Sequence, residues 1–299
     1  MGSGPRVVVV AKKTAYTRFV EERQEARVLA LLERSDPSVR RWKPAHRDHQ
    51  KALQRVLEVL DDEGADTTVL CGPQEEIDAR GVALLVCVGG DGTLLSASHH
   101  LGEVPILGVN SAPNHSVGFF CAARLGSIRE LLPQALSGTL SGVRLHRMAV
   151  SIDNERVANR VLNEALFCHG NPAATSRYIL RYAGQREEQR SSGVWIGTAA
   201  GSTGAIRSAG GKVLPLQSDA LQLVVREPYL GDKKPYSMEH EIVRSGKSVT
   251  VQNKMHDAWL FLDGPFKRIP VQLGQKIRFQ ASGEPLLVLG LDPKRRRVR

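Results

Sequence analysis

Cysteine is scarce in this 299-residue chain, and the few present are badly placed for two architectures. Cys71, Cys87, Cys121 and Cys168 are far apart and form no C-x-x-C pair. Neither a disulfide scaffold nor a structural zinc site of ordinary spacing is therefore expected. Reduced thiols in a cytoplasmic protein are the expectation. Long apolar runs are missing too: Val82–Val88 and Leu286–Leu291 are strand-sized, well short of the ~18 residues that span a bilayer, so no membrane partner is expected. The opening Met1-Gly2-Ser3-Gly4-Pro5-Arg6 has no signal-peptide character. Aromatic residues make up only 5%, which leaves few platforms for stacking single-stranded bases, and no helix-turn-helix or RNA-recognition signature occurs. No specific nucleic-acid partner is expected. The chain also lacks the Walker loop, G-x-G-x-x-G, the G-x-S-x-G elbow and H-E-x-x-H. His46-x-x-His49 and His99-His100 have no acidic or thiol partner at ligand spacing, so they read as surface or helix-face histidines, and no metal ligand is assigned.

What is abundant is positive charge. Forty-one Lys and Arg against 31 Asp and Glu give +10, part of it in the tail Lys294-Arg295-Arg296-Arg297-Val298-Arg299. Such a surface attracts polyanions in general, nucleotides included, and does not choose among them.

The pattern along the chain changes once. In the first part, strand-like and helix-like segments alternate. Arg6–Ala11 is a β-branched run suited to a strand buried on both faces. Phe19–Glu33 and His46–Glu63 carry apolar residues at helical spacing, and Gly64 follows as a helix-ending glycine. Thr67–Leu70, Val82–Val88 and Val104–Val109 read as further strands. Alternation of this kind predicts a parallel, Rossmann-like α/β sheet. Beyond about residue 140, short alternating segments between Gly, Asn, Asp and Pro predict an all-β sandwich. The expected division is 1–138, an α/β domain; 139–290, a β domain; and 291–299, a basic tail.

The strongest chemical signal is Gly89-Gly90-Asp91-Gly92-Thr93, placed between a strand and a helix. Glycines let backbone approach an anion, and a helix amino-terminus offers free N–H groups with a positive dipole end. A carboxylate inside such a loop would repel phosphate unless it held a divalent cation or took a proton from an attacking hydroxyl. A plain helix N-cap is the alternative for Asp91.

These five residues resemble the signature of the NAD kinases and of their wider superfamily, which includes diacylglycerol and sphingosine kinases. Further segments resemble the family in the same order: Gly108-Val109-Asn110 through Gly118-Phe119-Phe120, then Leu162-Asn163-Glu164, then Thr198 to Gly211, and finally Leu262-Asp263-Gly264. Within Thr198–Gly211 the agreement falls at Thr198, Gly201, Ser202, Thr203, Ser208, Ala209, Gly210 and Gly211. The resemblance implies transfer of the terminal phosphoryl group of ATP, with Mg²⁺ or another divalent cation, to the 2′-hydroxyl of the adenosine ribose of NAD. It implies that Asp91 is catalytic and that Gly89, Gly90, Gly92 and Thr93 hold donor phosphates. Asn110, Phe119, Asn163, Glu164, Thr198, Gly201, Ser202, Thr203 and Ser208 would contact NAD. A homodimer or homotetramer is implied as well. Three departures stand out: Ala199, Ala200 and Ala205 replace the family's Pro, Thr and Tyr, and the last loses an aromatic face. The longer loop Ser111–Val117 resembles the divergent, mitochondrial-type branch. The rival readings are a superfamily kinase acting on a lipid, sugar or nucleoside hydroxyl, and a non-catalytic nucleotide- or nucleic-acid-binding protein.

Overall fold

A computed structural model describes residues 4–72, 76–229, 235–265 and 267–294. Most of the arginine-rich tail, Arg295–Arg299, lies outside them. The chain forms two compact units, Met1–Val143 with Leu286–Asp292, and Arg144–Pro285 with the remaining carboxyl-terminal residues.

The first unit is built on a seven-stranded sheet. Strand β1 (Arg6–Ala11) pairs in parallel with β2 (Asp66–Cys71) on one side and β3 (Leu84–Gly89) on the other. Strand β4 (Ile106–Asn110) pairs in parallel with β3, so the order is β2-β1-β3-β4. Continuous apolar runs in β1, β3 and β4 are buried from end to end, as strands covered on both faces require. The edge strand β2 is Asp-Thr-Thr-Val-Leu-Cys and is largely exposed. Helix α2 (Trp42–Asp62) buries Ala52, Val56, Val59 and Leu60 against this sheet, beside helix α4 (Ile128–Leu136) with Ile128, Leu132 and Ala135. Gly64 follows α2 at φ +66°, as a helix-ending glycine should.

Two expectations are corrected here. The segment Phe19–Glu33 is not one helix: a π-helical turn, Thr17–Glu22, is separated from helix α1 (Ala26–Glu33) by Gln24 at φ +46°. The closing strand, Leu286–Leu289, does not join the β domain. It pairs in parallel with β4, so the first unit reclaims the end of the stretch read as 139–290.

The second unit contains two six-stranded antiparallel sheets. One runs in the order 185–191, 176–182, 248–253, 276–281, 148–152, 155–161, and the other 240–243, 221–226, 193–197, 164–169, 258–262, 267–270. Their inward residues form one core, including Val150, Tyr178, Val251 and Phe279 from the first sheet and Phe167, Ile196, Leu223 and Leu260 from the second. Strand Gln185–Ser191 (QREEQRS) escapes a hydrophobicity reading, because it is an edge strand with five exposed or half-exposed polar positions.

Candidate active site

In the first unit, β3 ends at Gly89 and helix α3 (Asp91–Ser98) begins two residues later, with Gly90 as its N-cap. The tight geometry explains the glycines. A Cβ on Gly89 would stand 2.3 Å from Thr93 Oγ1, and one on Gly90 would stand 2.4 Å from Ser116 Oγ. Gly92, by contrast, is exposed and meets nothing within 4 Å.

Asp91 does not cap its helix. Its carboxylate crosses to the Phe119–Phe120 turn, accepting the Phe120 N–H at Oδ1 and the Phe119 N–H at Oδ2, both at 2.8 Å. Each oxygen retains a further acceptor position. Asp91 thus fixes two loops to each other and keeps capacity for a hydroxyl or a cation. Asn110, opposite Gly89 in the β3–β4 register, is buried. Its amide donates to Ser116 O at 3.0 Å and its Oδ1 accepts the Ala112 N–H at 3.3 Å, so it shapes the 111–117 loop from within. Phe119 is 5% exposed and packs edge-on against Phe120 at 5.1 Å. The structure therefore gathers Gly89, Gly90, Asp91, Gly92, Thr93, Asn110 and Phe119 around one end of the sheet.

The reading of His46 and His49 is half corrected. Both lie on α2, but His49 is 3% exposed, and its Nδ1 is 3.0 Å from Ser111 Oγ. Burial first, then the neighbouring Lys12 and His46, lowers its pKa to about 4, so the ring is neutral near pH 7. His46 Nδ1 is 2.9 Å from Thr14 Oγ1.

The second unit brings together another set. Asp263, at φ +49°, accepts the backbone N–H groups of Leu162 (2.8 Å), Asn163 (2.6 Å) and Glu164 (3.2 Å). The Thr198 N–H donates to Asn163 O at 2.8 Å, and the Thr198 hydroxyl donates to Leu162 O. Gly201 lies flat on this turn: a Cβ there would sit 2.3 Å from Asn163 O, which only glycine permits. Backbone so fully occupied leaves the side chains to face outward. Asn163 Oδ1 and Glu164 Oε2 are buried and have no hydrogen-bond partner. Burial, reinforced by the Asp263 carboxylate, raises the Glu164 pKa to about 7.

Not every resemblance-based residue is free to meet a ligand with its side chain. Ser202 is wholly buried, with its hydroxyl donating to Ala199 O (2.7 Å) and accepting the Leu214 N–H (3.0 Å). Thr198 is 1% exposed and occupied as above. Both serve the architecture of the turn, alongside the buried Thr203. Ser208 is exposed at the end of the short helix Ala205–Ser208, and its hydroxyl donates back to Gly204 O at 3.4 Å. Asp263 was quoted within the motif but given no role; its φ and three N–H bonds make it the anchor of the Asn163–Glu164 turn. Leu262-Asp263-Gly264 was its only signal in the sequence.

Comparison with known proteins bears on this arrangement. The family model described as the ATP-NAD kinase N-terminal domain matches residues 14–139. A protein named "Probable NADH kinase" from Oryza sativa subsp. japonica is 30% identical over 265 residues, covering 81% of this chain and 82% of that protein. The chain belongs to the NAD kinase family. The Arabidopsis thaliana NADH kinase is 31% identical, with 80% of this chain and 82% of the relative covered. The NAD kinase of Geobacter sulfurreducens is 30% identical over 60% of this chain and 64% of its own length. Two solved family structures share the fold. The Archaeoglobus fulgidus NAD kinase in complex with ATP superposes with a TM-score of 0.69, 21% identity and coverage of 97% of this chain and 94% of that one. Yeast NADH kinase complexed with NADH gives a TM-score of 0.66 at 18% identity, covering 97% and 85%.

Proposed function

We propose that this NAD kinase family member transfers the γ-phosphoryl group of ATP to the 2′-hydroxyl of the adenosine ribose of a nicotinamide dinucleotide. The carrying observation is the Asp91 carboxylate, held by the Phe119 and Phe120 N–H groups at the amino end of α3, with acceptor capacity left over. In this reading the 2′-oxygen bonds to the γ-phosphorus as the bond from that phosphorus to the β–γ bridging oxygen breaks. ADP leaves with the electron pair, and Asp91 takes the hydroxyl proton. Gly89, Gly90, Gly92 and Thr93 supply close backbone approach and N–H groups to the donor phosphates. Asn163 and Glu164 bind acceptor hydroxyl or amino groups through their unpartnered oxygens. Phe119 forms apolar wall, Asn110 holds the loop behind it, and Gly201, Thr203 and Ser208 line the acceptor.

A divalent cation fits this donor set. Among the described residues no three His, Cys, Asp or Glu side chains gather for a metal, so Mg²⁺ would be held by donor phosphates together with Asp91 and would neutralise phosphate charge. A cytoplasmic homodimer or homotetramer belongs to the same reading, on the family resemblance. Among the described residues no helix is long and apolar enough to cross a membrane.

A second reading concerns the acceptor. The two plant relatives that match over the greater share of the chain are named NADH kinases, which favours the reduced dinucleotide. Comparing kcat/KM for NAD and NADH at fixed ATP and Mg²⁺ tests both readings. Product formation from either establishes the reaction, and their ratio assigns the acceptor. If neither is phosphorylated while a lipid, sugar or nucleoside alcohol is, the proposal fails.

A further inference from the structure

The carboxyl ends of β1, β3 and β4 surround a cavity of about 300 Å³, lined on one side by Lys12 and Thr14 after β1, Gly89 and Gly90 after β3, and Ser111 after β4. The first turns of α2 close the other side with Arg41, Trp42 and His49. Its place follows from topology. The order β2-β1-β3-β4 makes the chain leave β1 in one direction and β3 in the other, and an open parallel sheet leaves a ligand crevice at such a switch point. The chemistry of the walls selects the ligand. Among the described residues Lys12 and Arg41 make no ion pair with a carboxylate, although the neighbouring Lys13 pairs with Glu22 at 2.7 Å. The amino end of α2, a partial positive charge, abuts the same space. His49 is held on Ser111, and a neutral imidazole accepting there at Nδ1 carries its hydrogen on Nε2, where it is a donor. The Trp42 ring, packed on Phe19 at 5.6 Å, adds an aromatic surface.

We infer that this cavity receives the polyphosphate of the nucleoside triphosphate donor, with Lys12 and Arg41 as its charged contacts, His49 as a neutral donor and Trp42 against the base. The inference rests on the proposed reaction only for the identity of the donor; the cavity's preference for a polyphosphate stands on its own walls. Glycine N–H groups can cradle an anion, but in the first unit's loop they carry no full positive charge. Lys12 and Arg41 supply two.

The test uses the full chain with Lys12→Ala, Arg41→Ala and the double variant. Both residues are exposed, so folding should survive, and a thermal melt confirms it. Steady-state rates with ATP varied at saturating dinucleotide should show the KM for ATP raised about 10-fold per variant, the effect of losing one charge-assisted contact. The KM for the dinucleotide should stay within about twofold. Tripolyphosphate, as a competitor of ATP, separates charge from base: its inhibition weakens in the charge variants and is unchanged in Trp42→Ala, whereas ATP itself binds less well to Trp42→Ala. An unaltered KM for ATP in the double variant, with wild-type turnover intact, overturns the inference and leaves the reaction standing. If the wild type phosphorylates no dinucleotide, the proposed reaction falls. Titration of Mg-ATP into wild type and double variant then still decides the site, equal affinities refuting it.

Discussion

Replacing Glu164 by Gln probes the acceptor-side turn through its proton balance. The carboxyl is buried next to Asp263 and its pKa is raised from 4.5 to about 7, so the native state binds its proton more tightly than the unfolded chain does. Stability in the wild type is therefore highest below about pH 4.5, where both states are protonated, and falls as pH rises towards 7. Above 7 the loss is complete, and its size is about 3 kcal/mol at 1.36 kcal/mol per tenfold change in proton affinity. Gln has the same shape and no titration. Its amide carries its own fixed cost for imperfect hydrogen bonding, about 1–3 kcal/mol, which does not vary with pH. The quantity to measure is the difference in unfolding free energy between Glu164→Gln and wild type, from urea melts between pH 4 and pH 8.5. That difference should move in favour of the variant by about 3 kcal/mol across the window and level off above pH 7.5. A difference that is flat with pH would refute the burial argument, and with it the picture of an unpartnered carboxyl facing the acceptor.

Three further outcomes follow from the same geometry. Asp91→Asn should lower kcat by about 10²–10⁴, the usual scale of positioned proton transfer, in steady-state assays. It should also lower stability by about 1–3 kcal/mol in urea melts, because an amide NH₂ must face the N–H of Phe119 or Phe120. Gly201→Ala should cost about 1–3 kcal/mol or prevent folding, since its Cβ meets Asn163 O at 2.3 Å; a melting temperature equal to wild type would contradict the packing argument. Asp263→Asn should raise the KM for the dinucleotide more than the KM for ATP, because it loosens the turn that presents Asn163 and Glu164, and unequal shifts in the opposite sense would count against that role.

Much of the fold was legible because its signals are local. β1, β3 and β4 are apolar runs between punctuating residues, and their burial on both faces is what such runs require. Gln185–Ser191 and Lys267–Pro270 were missed because edge strands can be polar, their partners supplying the order. The place of Leu286–Leu289 depends on a pairing with β4 some 180 residues earlier, which no local pattern carries. The break at Gln24 likewise hides inside apolar spacing that would suit one helix.

The site divides along the same line. Residue types at the glycine loop and the Asn-Glu pair marked where chemistry belongs. Which side chains remain free for a ligand was not legible, because it depends on hydrogen bonds between distant segments. Ser202 and Thr198 look polar and available in the sequence, yet their hydroxyls are spent on backbone. His49 looks like a helix-surface histidine, yet it is buried on Ser111, 62 residues away. Asp263 carries three N–H bonds from a segment about 100 residues earlier.

The most direct measurement is the position of the phosphate on the product. The purified chain would be incubated with ATP, Mg²⁺ and NAD or NADH, and the dinucleotide product read by phosphorus NMR beside the same reaction with Asp91→Asn. A new 2′-phosphomonoester on the adenosine ribose, formed by the wild type and suppressed at least 100-fold in the variant, is the expected result. A dinucleotide left unmodified, or one phosphorylated equally fast without the Asp91 carboxylate, would contradict it.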